Sequence, residues 1–119
     1  MKIVSWNCRG GFRNKFKYLL DQDVDIYIIQ ECENPVLTQD SDYRKFASNY
    51  IWIGDNMKGL GVFAKDTIKL KNNEWKTYGI EWCISCNINN QIDLIAVWAC
   101  GNYIEDFYTY LQIYYDRLE

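Results

Sequence analysis

The chain has 119 residues, 49% of them apolar and 17% aromatic, which excludes an intrinsically disordered segment and suits one domain spanning 1–119. Thirteen basic residues face sixteen acidic ones, a net charge of −3, so the bulk charge does not point to nucleic acid, although a local basic patch would suffice. Histidine is absent, which excludes Ser-His-Asp triads, Cys-His pairs and histidine zinc sites from these residues.

The opening "KIVSW" is a β-rich run and predicts a first strand, broken by Gly10 and Gly11. It shows no secretory pattern, because Ser5, Asn7 and Arg9 interrupt the apolar residues. No apolar stretch approaches the roughly 20 residues of a membrane span, so the expectation is a soluble, cytoplasmic protein. Phe12, Phe16, Leu19 and Leu20 fall at i, i+4, i+7 and i+8 and predict a helix over 12–21. "VDIYIIQ" is nearly continuous and apolar, as a central strand covered on both faces would be. Strand, helix and strand within about 30 residues make a βαβ-like opening. A short helix is expected over 42–47.

"YIWIG", "GLGVFAK", "TIKLK", "IEWCISCNI" and "IDLIAVWA" then predict five strands separated by turn residues. Asn89 and Asn90 suit the left-handed turn of a hairpin joining the last two. The stretch 102–119 predicts a helix with Ile104, Phe107, Tyr108, Leu111, Tyr115 and Leu118 as one stripe. The order β-α-β, a β-meander and a final helix predicts an α/β (α+β) layer with helices packed on a sheet. Five cysteines, with no secretory leader, are expected as reduced thiols. Cys83 and Cys86 of "CISC" lie three apart on a strand, so their sulfurs should point to opposite faces and serve neither zinc nor redox chemistry.

Asn7 and Glu31 end two strands that are expected to be neighbours. Ligand sites in open α/β sheets gather at such ends. A carboxamide and a carboxylate are hard oxygen donors that suit magnesium or manganese rather than zinc. The plainer reading is a turn-capping Asn7 and a solvated Glu31, and spacing alone favours it.

"KIVSWNCRGG", "VDIYIIQE" and "GLGVFAK", in this order, resemble the endonuclease/exonuclease/phosphatase superfamily, which includes exonuclease III-like nucleases, pancreatic-type deoxyribonucleases, sphingomyelinases and inositol phosphatases. The paired "WN" and "QE" strand ends are the most specific part, and the likeness runs through essentially the whole chain. It implies a mixed β-sheet with helices on one face, one half of a four-layer αββα sandwich. It also implies Asn7 and Glu31 as catalytic ligands of Mg2+ or Mn2+, and hydrolysis of a phosphodiester, DNA among the candidate substrates. Gln30 is expected to be structural and Glu33 a second-choice ligand.

The departures from the family pattern are specific. The family's second half supplies a "GDFN"-like Asp and Asn and an "SDH"-like Asp and His, which handle the attacking water and the leaving group; neither motif matches here. The resemblance therefore covers the N-terminal half of that fold. Gly54, Asp55 and Asn56 imitate "GDFN" but come too early and lack the Phe, so a turn is the better reading. Trp98 stands near where many nucleases of the family carry Tyr or His. Arg9, Arg13, Lys15 and Lys17 concentrate beside the expected site; Arg9, Arg13 and Lys15 are the candidate substrate-binding residues for a phosphate backbone. A half-sandwich would leave one sheet face bare, so self-association through that face is expected. The alternative to an enzyme is a non-catalytic, self-associating binding module of the same fold.

Overall fold

The structure, a computed structural model, describes residues 1–76 and 81–99, together with Glu105, Tyr108, Thr109, Leu111, Gln112 and Tyr115. Strands β1 (Ile3–Asn7) and β2 (Ile26–Cys32) pair in parallel, with Asn7 opposite Gln30. Parallel neighbours need a long crossover, and residues 8–25 provide it. The expected α-helix there is replaced by two 3-10 segments, Phe12–Asn14 and Phe16–Gln22. Gly11 precedes the first in a left-handed conformation, Lys15 separates the two with an irregular backbone, and left-handed Asp23 ends the second. At three residues per turn, Leu19 rather than Leu20 stacks over Phe16. Leu19 accordingly packs on the core, whereas Leu20 is 51% exposed.

Helix α1 (Ser41–Phe46) lies within one residue of its expected place, capped by Asp40, whose side chain accepts the Tyr43 N–H at 2.9 Å. Strands β3 (Tyr50–Gly54) and β4 (Gly59–Ala64) form an antiparallel hairpin, and β4 also pairs antiparallel with β2. The result is a mixed four-stranded sheet in the order β1-β2-β4-β3. The glycine strand is explained by close approach. A Cβ on Gly59 would run into the carbonyl oxygen of Ile53, and one on Gly61 would meet the Phe63 ring at 2.5 Å.

Strands β5 (Leu70–Asn72), β6 (Cys83–Ile88) and β7 (Ile92–Val97) form a second, antiparallel sheet. The strand expected over 67–71 starts later, because Ile68 donates its N–H to the Lys65 carbonyl in a turn. Asn89 and Asn90 take positive φ between β6 and β7, as expected. Cys83 and Cys86 also separate as expected: Cys86 joins the core between the sheets, and Cys83 sits on the other face with Ile95 and Val97.

Alternation along β2 divides the interior in two. Tyr27, Ile29 and Cys32 face a core with Phe12, Phe16, Tyr43 and Phe63, so the 3-10 segments and α1 cover that side. Ile26 and Ile28 face the other way, against Ile84, Cys86, Ile88 and Ala96 of the second sheet. The described architecture is mixed α/β, dominated by strands in two sheets.

This packing corrects the expectation of a bare sheet face. Ile26, Leu60 and Val62 are fully buried under the second sheet. What stays open on that side of the first sheet is the β1 column Ile3, Ser5 and Asn7, in which only Ile3 is apolar. The described positions beyond residue 99 are helical, as expected for 102–119, with Tyr108, Leu111 and Tyr115 exposed; Ile104, Phe107 and Leu118 lie outside the described residues. Among the described residues no helix is long and apolar enough to cross a membrane.

Candidate metal centre

The two sequence-predicted ligands meet. Asn7 closes β1, and its Oδ1 accepts the Arg9 N–H at 3.1 Å in a turn that reverses the chain. Glu31 reaches it by a β-bulge. The register between β2 and β4 slips between Gln30 and Cys32, and Glu31 takes φ 65. Simple alternation would send Glu31 into the aromatic core beside Tyr27 and Ile29. The bulge gives that place to Cys32 and turns the carboxylate to the side of Asn7, whose side chain is near enough to favour its ionised form.

Three contacts hold the bulge. The Trp52 indole N–H donates to the Cys32 carbonyl at 3.2 Å. The Cys8 N–H donates to the Gln30 carbonyl at 3.2 Å, and its buried thiol lies 3.4 Å from the same oxygen. Gln30 is structural, as expected: its amide donates to Ser5 Oγ at 3.2 Å and to the Val97 carbonyl at 3.0 Å, tying the end of β7 to the first sheet.

Sequence reasoning missed one member of the site. Lys58 Nζ lies 2.9 Å from Glu31 Oε1. This ammonium is the main reason the Glu31 carboxyl is held below its ordinary value; burial opposes it, and the Asn7 amide and the charge of Arg9 assist. Lys58 comes to Glu31 because it immediately precedes Gly59, the residue opposite Cys32, and no local sequence pattern announces that pairing.

The basic cluster divides. Arg9 is exposed and its charge reaches Glu31. Arg13 instead pairs with Glu33, Nη1 to Oε2 at 2.9 Å. Lys15 Nζ donates to the carbonyls of Cys8, at 2.5 Å, and Gly10, at 2.8 Å, bracing the loop after β1. Lys17 lies 3.5 Å from Asp42. Glu33, the second-choice ligand, accepts the N–H groups of Phe12 at 2.8 Å and Arg13 at 3.2 Å, so it caps the first 3-10 segment. Asp55 is a turn residue, as expected: its Oδ1 accepts the N–H groups of Met57 at 2.9 Å and Lys58 at 3.2 Å, which hold its carboxyl below the ordinary value. Trp98 packs against Trp82 with ring centroids 5.0 Å apart.

No family model and no curated protein matches this chain. The site offers one carboxylate and one carboxamide, both hard oxygen donors at a half-open edge. Magnesium accepts such a sparse set, because it keeps several waters and takes substrate phosphate. Among the described residues no three His, Cys, Asp or Glu side chains gather into a metal-holding group, so a ligand-rich cage is not on offer there. The donor set fits a weakly held magnesium or manganese ion, with Lys58 already on one carboxylate oxygen.

Proposed function

We propose that residues 1–119 form the metal-and-phosphate side of a phosphoesterase of the endonuclease/exonuclease/phosphatase kind, acting on a phosphodiester. The observation that most supports this is the meeting of Asn7 and Glu31 at the ends of adjacent parallel strands, produced by a bulge that removes Glu31 from the core. Glu31 and Asn7 would hold Mg2+ or Mn2+, which when bound supplies Lewis-acid stabilisation of phosphoryl oxygens. Arg9, exposed beside them, would attract and orient the phosphodiester anion. Asn7, Glu31 and Arg9 do not themselves position the attacking water or protonate the leaving oxygen; those roles fall to groups beyond this site.

A second reading, a non-catalytic binding module of the same fold, is favoured by the Lys58–Glu31 ion pair, which neutralises the carboxylate without any metal. Hydrolysis of bis(p-nitrophenyl) phosphate and of plasmid DNA, read beside the magnesium response of the Glu31 carboxyl NMR signal, separates the two. A carboxyl signal that magnesium moves, without turnover, is the result expected of the metal-and-phosphate side alone, whereas chelator-sensitive turnover that drops about 100-fold or more in Glu31→Ala would make these residues a working site by themselves. Absence of turnover, together with a Glu31 carboxyl NMR signal that magnesium leaves unmoved, would favour the binding module.

A further inference from the structure

Lys58 is not a casual surface lysine. Its backbone is fixed at both polar groups: the N–H is accepted by Asp55 Oδ1 at 3.2 Å, and the carbonyl accepts the Asp55 N–H at 3.3 Å. The next residue, Gly59, faces Cys32 across the bulge in a space that admits no side chain. The turn and the bulge therefore deliver one ammonium to one oxygen of Glu31. Asn7 and the charge of Arg9 stand on the same carboxylate.

The pair is also easy to part. The Lys58 side chain is 48% exposed, so water can take over the ammonium, while the Glu31 side chain, 19% exposed, depends on whichever cation reaches it. Exposed pairs of this kind contribute little to stability, and a dication that also reaches Asn7 competes well for the carboxylate. A lysine displaced there is a strongly hydrated point charge on a flexible stem, suited to a phosphate oxygen.

Resting on the metal site proposed above, we infer that Lys58 is a tethered counter-ion that exchanges partners. It holds Glu31 while no divalent cation is bound, yields the carboxylate when one arrives, and then pairs with the phosphate of the incoming substrate. The same side chain thus weakens metal binding and strengthens anion binding. A merely structural salt bridge would do neither.

The test uses the full chain as wild type, Lys58→Met, Lys58→Arg and Glu31→Gln, with thermal melts to verify folding. Mn2+ affinity is read by electron paramagnetic resonance, and inorganic phosphate affinity is then read by calorimetry at a fixed Mn2+ concentration. Lys58→Met should bind Mn2+ roughly three- to tenfold more tightly than wild type and bind phosphate more weakly by a similar factor. Lys58→Arg should stay near wild type on both counts, and Glu31→Gln should lose Mn2+. If Lys58→Met leaves either affinity unchanged, or moves both in the same direction, the exchange is wrong while the metal site stands. If no protein in the set takes up Mn2+, the metal site itself is wrong and the exchange falls with it. Mn2+ uptake that survives in Glu31→Gln would place the ion elsewhere and overturn both.

Discussion

Glu31 is a non-glycine residue held at positive φ, a conformation that costs free energy and persists only where neighbours enforce it. The enforcement is local: the Trp52 bond to Cys32, and the Cys32 side chain filling the core position that Glu31 leaves. Gly61 belongs to the same device, since a Cβ there would lie 2.5 Å from Phe63 and 3.0 Å from Cys32 Sγ. Gly61→Ala should therefore destabilise the protein by about 2 kcal/mol through overpacking, lowering its melting temperature by about 10 °C. A melt by circular dichroism within about 2 °C of wild type would show that the ring and thiol move aside freely. Asn7 and Glu31 were legible as strand-end residues because the apolar runs stop so abruptly. Their meeting was implied by the resemblance, but the bulge that brings it about was not legible, because alternation carries no sign of an extra residue in the ladder. Lys58 was illegible for a related reason: only the pairing of β4 with β2 brings it to Glu31, and no local pattern encodes that partner.

At the scale of elements, strands were the legible part and the first crossover was not. β1, β2, β3, β4 and β7 follow their apolar runs closely, and parallel β1–β2 pairing follows from the crossover length. The crossover itself shows four apolar residues at α-helical spacing, yet its backbone forms two 3-10 segments. Two glycines at its start and a cap from far along the chain decide this. Glu33 satisfies the N–H groups of Phe12 and Arg13 and pairs with the Arg13 guanidinium, pinning the segment to the end of β2. Phe12 is thereby fixed at the centre of an aromatic cluster, within 6.2 Å of the ring centroids of Trp6, Phe16, Tyr43, Phe46 and Phe63. Glu33→Gln keeps the shape but weakens charge-assisted bonds, and should cost about 1–2 kcal/mol in urea unfolding. Arg13→Ala removes only the exposed half of the arrangement and should cost under about 1 kcal/mol. Equal losses in the two variants would mean that the ion pair, not the cap, anchors the crossover.

At the scale of the molecule, the four-stranded sheet is a shared wall. Its one face carries the aromatic core under the 3-10 segments and α1, and its other face carries the aliphatic core under the second sheet. Each core contains a thiol that serves as its own reporter: Cys32 in the first and Cys86 in the second. Burial pushes these thiols up to about 12 and about 11 respectively, so at pH 8 neither carries appreciable thiolate and neither should react while its core is closed. Peeling the second sheet away would expose Ile26, Leu60 and Val62 to water, a cost that ties that layer to the wall. The wall in turn cannot open without releasing Tyr27, Ile29 and Phe63, which alternate with those residues along the same strands. The two cores should therefore unfold in one transition. Pulsed alkylation at pH 8 across a urea series, read by mass spectrometry, should give Cys32 and Cys86 the same midpoint. If Cys86 and Cys83 became reactive well before Cys32, the second sheet would be a separate cooperative unit. The inner face of the first sheet would then open to water, and self-association through it would regain its physical basis.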